Sequence, residues 1–362
     1  LLVSVCEVTK ASKCENADKL SIIECLGWQC ITGLDQYKVG DIVIFIPPDS
    51  IVPPSLIEKY ELTYLKNGGR VGTAKLRGCI SQGLVLGIDV LEGKKVKIGD
   101  NVAEILGITK WEPPVAGYSA GQANPVSKRK LNPLFDKYTD IENIKNYPSV
   151  FQNGDMVSVT EKIHGANFRA STLPIVIDKK QPLLEIIKLL WKKYILRDTH
   201  VFCYGSHNVQ LHSGNNDKNY YGVDKWGQIC KMYDLKNKIP KDYIVYGEMY
   251  GNVQDLKYGV EDIDLVVFDI KYKNKYLPWG TVKALCKWWE LPTVPELYVG
   301  EYYDGILTDF TDGKSLICPS QIKEGIVIKD FNESFNPKVG RKILKSVSVD
   351  YLLRKGKPTE FK

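Results

Sequence analysis

The chain has 362 residues, with 49 Lys and Arg against 43 Asp and Glu, a formal charge of +6, and 44% hydrophobic residues. That length supports two folded cores. The composition excludes a disordered or fibrous chain, and the small positive excess permits phosphate-bearing partners without the charge of a nucleic-acid coat protein.

From 1 to 108, short β-branched runs such as LSIIECL, DIVIFI and GLVLGIDVL are broken by Gly, Pro and Asn turn signals. This is the pattern of a small β-barrel. Residues 109–131 turn rich in Pro, Gly, Ser and basic residues and read as a linker. From 132 to 362, strand-like runs (DMVSVTEK, YIVYGEMY, DLVVFDIKY, EGIVIKD) alternate with helical ones (LLEIIKLLWKKYIL, VKALCKWWEL), which predicts an α+β domain built on antiparallel sheet. One helical run spans 183–196. It carries Glu185, Lys188 and Lys192 on one stripe opposite an apolar face. It is too short to cross a bilayer and is expected to pack on the core, with contact to RNA or to a partner as the open alternative. A soluble intracellular protein with no membrane partner and no obligate protein partner is expected. The nine cysteines include no C-x-x-C pair and read as free thiols in a reducing compartment.

The chemistry centres on VTEKIHGANFRA, where Lys162 ends an alternating run and precedes Gly165 by three residues. An amine attacks phosphorus only when unprotonated, so such a lysine needs neighbours that control its charge. Four later segments supply charged and aromatic groups in strand context. YGEMYG carries Glu248, LVVFDIKY carries Phe268 beside Asp269, EGIVIKD carries Glu324 and Lys329, and RKILKSVS carries Lys342 and Lys345.

Together these segments resemble the motif series of the covalent nucleotidyltransferases: RNA ligases, DNA ligases and capping enzymes. EKIHGAN resembles the RNA ligase 2 form of the lysine motif, and the N-terminal stretch CENADKLSIIECLGWQCITG resembles a tRNA-binding type of OB-fold. The whole arrangement is similar to the RNA ligase 5 family, so the expected architecture is an OB-fold β-barrel followed by a ligase adenylylation domain. The resemblance implies an ATP-dependent RNA ligase of RNA repair, acting on nicked or broken RNA ends with Mg2+ or Mn2+. It implies Lys162 as the acceptor of AMP, with Glu161 at the adenine edge, Phe268 stacked on the base and Asn167 among the nucleotide contacts. It makes Glu248 and Glu324 the metal-associated carboxylates, and Lys329 and Lys345 the lysines on the α-phosphate. Three departures stand out, one of them a segment from about 172 to 200 that reads as an insertion before YGSHNVQL. Ile343 occupies a position where a lysine is expected, leaving Lys342 and Lys345 three apart, and His207 replaces an arginine in YGSHNVQL. Two alternatives remain open from sequence: an RNA-binding pseudo-ligase, and a DNA ligase or capping-type enzyme.

Overall fold

The computed structural model describes residues 1–65, 68–111, 132–177, 183–211 and 223–354. These fall into two compact units. The first is built on residues 1–111 with the short segment Ile144–Pro148 and residues 352–354; the second comprises 132–143 and Ser149–Tyr351.

The first unit is an OB-type barrel of short antiparallel strands. Ser4–Glu7, Ile42–Ile46 and Leu84–Gly87 form one sheet, and Lys10–Lys13, Leu20–Cys25 and Trp28–Gly33 form another. Alternation along Leu20–Cys25 and Trp28–Gly33 sends Ile23, Cys25, Trp28 and Cys30 inward onto Phe45 and Val85. Thr109 and Lys110, assigned to the linker by composition, instead pair with Ser50 and Ile51, and the Arg70 guanidinium lies 3.5 Å over the Trp111 ring. The barrel therefore extends to Trp111, and the rest of the expected linker, 112–131, lies outside the described residues. Cys14 and Cys79 are joined as a disulfide, correcting the expectation of nine free thiols; the other seven cysteines are free.

The second unit stacks two antiparallel-based sheets. The five-stranded sheet runs Glu142–Asn143, Ile343–Val347, Gly325–Asp330, Met156–Lys162, Glu296–Glu301. The six-stranded sheet runs Gln210–Leu211, His200–Gly205, Ala166–Pro174, Tyr243–Gly251, Ile263–Tyr272, Lys275–Tyr276. Ile343 and Val327 of the first meet Leu173, Ile244 and Tyr246 of the second in one apolar cluster. On its other face the six-stranded sheet buries Phe168, Val245 and Val267 against helices Lys225–Met232 and Trp279–Trp288. The architecture is thus α+β, an OB-type barrel followed by a domain of two stacked, mainly antiparallel sheets.

The helix in the 172–200 insertion forms, over Leu183–Leu190, and continues as a π-helical turn over Trp191–Ile195. It does not pack on the core as expected: Leu183 and Leu184 are each 72% exposed, and Trp191 54%. No helix among the described residues is long and apolar enough to cross a membrane.

Candidate active site

Strand register decides which side chains share the cleft between the sheets. Lys162 lies opposite Gly325, Thr160 opposite Val327, and Val327 in turn opposite Lys345. Because side chains alternate, Lys162, Lys329 and Lys345 face one way, and Glu161, Leu344 and Ser346 the other. Lys342 lies outside this face; its ammonium bonds Asp155 at 2.7 Å and sits 5.2 Å over the Phe151 ring. Ile343, at the position where the resemblance expects a lysine, is buried in the apolar cluster between the sheets.

Lys162 Nζ donates to Glu324 Oε1 at 2.6 Å, and Glu324 is 2% exposed. Gly325, immediately after it, has φ +151°, and a Cβ there would stand 2.1 Å from the Ser346 carbonyl. Only glycine lets the strand seat Glu324 beneath the lysine. Gly165 is required for a different reason: its added Cβ would lie 2.2 Å from the Met249 carbonyl and 2.9 Å from Glu248 Cγ. The three-residue spacing from Lys162 to Gly165 is what brings the backbone onto Glu248.

Glu248 is half-buried on the facing sheet, opposite Asn167. Burial pushes its carboxyl up to about 8, with Glu324 adding to the rise, while Lys162 and the Gly165 N–H pull it down. Glu324 Oε2 and Asn167 Oδ1 are both buried without a hydrogen-bond partner. Unsatisfied acceptors of this kind are rare in folded proteins and mark places built for a ligand. Among the described residues no group of three His, Cys, Asp or Glu side chains could hold a metal alone. Glu248 and Glu324 nonetheless fit a hard divalent cation that completes its shell with water and substrate oxygens.

Phe268 reaches the cleft through a β-bulge. Gly247 pairs with Val267 and Tyr246 with Asp269, leaving Phe268 the extra residue. The bulge lets two consecutive residues serve the same side: Phe268, half-buried, packs edge-on against Tyr138 at 4.8 Å, and Asp269 bonds the Tyr138 hydroxyl at 2.8 Å. Asp269 is fully buried, and burial alone would raise its carboxyl. Lys329 and Arg341 outweigh that and hold it below the ordinary carboxylate range.

Three placements differ from the sequence expectation. Lys329 does not reach toward Lys162; its ammonium is held by Glu333 at 3.0 Å and Asp269 at 3.4 Å, roughly 13 Å down the strand. The Glu161 carboxylate faces away from Lys162 and accepts from the Leu316 N–H at 2.8 Å, with burial raising its pKa. His207 stands at the rim, 3.8 Å from Asp140, with burial lowering its imidazole pKa.

Contacts define the part of His164, which the sequence sets between Lys162 and Gly165, and add Arg169, which the sequence reading missed. His164 Nε2 donates to Asp255 at 2.7 Å, so Nδ1 accepts from the Tyr351 hydroxyl at 2.9 Å, and its backbone N–H donates to Tyr258 at 2.8 Å. Burial keeps its imidazole pKa low, consistent with a neutral ring that fixes the turn after Lys162. Arg169, on the same sheet face as Asn167, donates to the Ser206 and Phe135 carbonyls at 2.9 and 2.6 Å and so supports the turn bearing His207. Its position two residues after Asn167 in an alternating strand was the available signal.

The RNA ligase family profile matches residues 155–347, which hold every group of this cleft except Tyr138, Asp140, Phe135 and Tyr351. The chain belongs to the RNA ligase family. An OB-fold domain profile matches residues 2–88 of this family member. Solved structures of the Naegleria gruberi RNA ligase share its fold at 22% identity. A mutant with ATP and Mn superposes with TM-score 0.71 over 97% of this chain and 98% of that one. The enzyme with PPi gives 0.70 over 97% of each. No curated protein sequence matches the ligase chain.

Proposed function

We propose that this protein is an ATP-dependent RNA ligase that joins a 3′-hydroxyl to a 5′-phosphate at nicked or broken RNA ends through a lysyl-AMP intermediate. The observation that carries the reading is the Lys162 amine held 2.6 Å from a buried carboxylate, across a cleft from Glu248 and Phe268. In the first step the Nζ lone pair forms a P–N bond to the α-phosphorus of ATP, the P–O bond to pyrophosphate breaks, and the amine proton leaves. Glu324 is the acceptor within reach. The AMP then passes to the RNA 5′-phosphate, and the 3′-hydroxyl displaces it to form the phosphodiester.

Such transfers depend on in-line placement and charge neutralisation. Phe268 offers a flat apolar face for adenine, Asn167 an unsatisfied acceptor, and Lys345 a cation on the Lys162 side of the sheet. Glu248 and Glu324 would hold Mg2+ or Mn2+, which would neutralise triphosphate charge when bound. Support for ATP and manganese comes also from the fold-related Naegleria gruberi ligase, which has been seen with ATP and Mn. Lys329 enters as a structural ion rather than a phosphate ligand, because two carboxylates already neutralise it.

Incubation with ATP labelled in the α-phosphate should leave label on the protein through a denaturing gel, mapping to Lys162, and Lys162→Ala should abolish it. Label that persists on the variant would end the proposal.

A further inference from the structure

We propose that one end of the second unit is a membrane-interface surface that binds bilayers containing anionic phospholipid. The centre of this surface is the inserted helix. Leu183, Leu184, Ile187, Trp191, Tyr194 and Ile195 are between 51% and 72% exposed, and they recur at the three- and four-residue spacing of one helical face. Exposed apolar side chains scattered singly need no explanation, but a contiguous stripe marks a surface meant to be covered.

The charges beside the stripe say what covers it. Lys188 and Lys192 are exposed on the same element, and Arg197 is exposed two residues past its end. Apolar residues on one side with cations on the other, and Trp and Tyr near the boundary, describe a helix lying in the headgroup plane. At 1.5 Å per residue the 13 residues from Leu183 to Ile195 extend about 20 Å, short of the ~30 Å needed to span the hydrocarbon core. The helix lies on a bilayer; it does not cross one.

Neighbouring elements reinforce the reading. The insertion leaves the sheet at Pro174 and returns at His200, residues that pair with each other. At that same end Thr172 bridges to Lys241, and Tyr243 pairs with Tyr272. Tyr243 in turn contacts Trp289 edge-on at 5.3 Å. Trp288, the residue before it, is 77% exposed, and Lys241, Lys273 and Lys287 are exposed on the elements that meet at this end. An apolar helix, a projecting indole and a lysine cluster thus share one end. One apolar anchor alone gives marginal binding, and a basic patch supplies the second signal. Glu248 lies five residues up the strand from Tyr243, about 17 Å away, so a docked bilayer leaves the cleft open.

The test is flotation of the full chain with vesicles of phosphatidylcholine alone and of phosphatidylcholine mixed with phosphatidylserine. The expected result is binding to the mixed vesicles only, with a blue shift of tryptophan emission and release by high salt. Trp191→Glu with Ile187→Glu should weaken binding by about tenfold or more while label uptake at Lys162, which reports folding, stays at the wild-type rate. Lys188→Glu with Lys192→Glu should give the same loss without touching the apolar face. Absence of vesicle binding overturns the proposal. So does equal binding to both vesicle types, binding that the variants retain, or a stripe that proves to be covered by a second copy of the chain in light scattering or by RNA in cross-linking.

Discussion

Replacing Lys345 by alanine removes a cation from the face that carries Lys162, whereas replacing Lys342, three residues earlier, removes one that faces elsewhere. Lys345 is 9% exposed, so its charge acts in a medium that screens poorly. Loss of one such group aimed at developing phosphate charge costs about 10²–10³-fold in rate. Lys342 makes a partly exposed ion pair with Asp155, whose side chain is 31% exposed against 12% for the lysine. Solvent screening leaves a pair of this kind worth roughly 0.5–1 kcal/mol. That is a fall in melting temperature of about 1–4 °C for a unit of this size. The two variants should therefore separate in label uptake: Lys345→Ala slow, Lys342→Ala near-normal with a slightly lower melt. Single-turnover label uptake at saturating ATP and a thermal melt on the same samples measure both. If Lys342→Ala is the slower enzyme, the strand register from Gly325 to Val347 is wrong.

Glu248 predicts a pH effect. Its carboxyl rises from the ordinary 4.5 to about 8 in the folded chain, so between those values the native state holds a proton that the unfolded state has released. Its stabilising contribution is full below the lower value and is lost as pH rises to the upper one. Glu248→Gln lacks this dependence, and its melting temperature relative to wild type should rise from about pH 5 to about pH 8.5; a constant difference would refute the shift. Asp269→Asn should destabilise the second unit strongly, because Lys329 and Arg341 would be left buried without their shared counter-ion. Breaking a buried pair from one side costs about 3–5 kcal/mol, and a melt lowered by less than about 5 °C would show that Glu333 alone suffices.

The sequence by itself carried the class of fold and the motif segments on which the candidate residues lie. Alternating runs placed Lys162 and Glu248 on strands and Glu324 at the mouth of one, because period-two burial is a local property of the chain. Gly165 and Gly325 were legible as motif members, although the reason only glycine fits lies in the Met249 and Ser346 carbonyls of other strands. Tertiary structure alone decided which of the motif lysines is already ion-paired. Lys329 matched the motif yet is neutralised by Asp269, 60 positions before it in the chain, and by Glu333. The bulge that turns both Phe268 and Asp269 to one side is a mismatch between two strands, so no single strand encodes it. The amphipathic helix was readable at 183–196, but periodicity reports that a face is apolar and says nothing of what covers it. Exposure of Leu183, Leu184 and Trp191 follows from where the sheet ends, a fact fixed by long-range pairing and absent from local sequence.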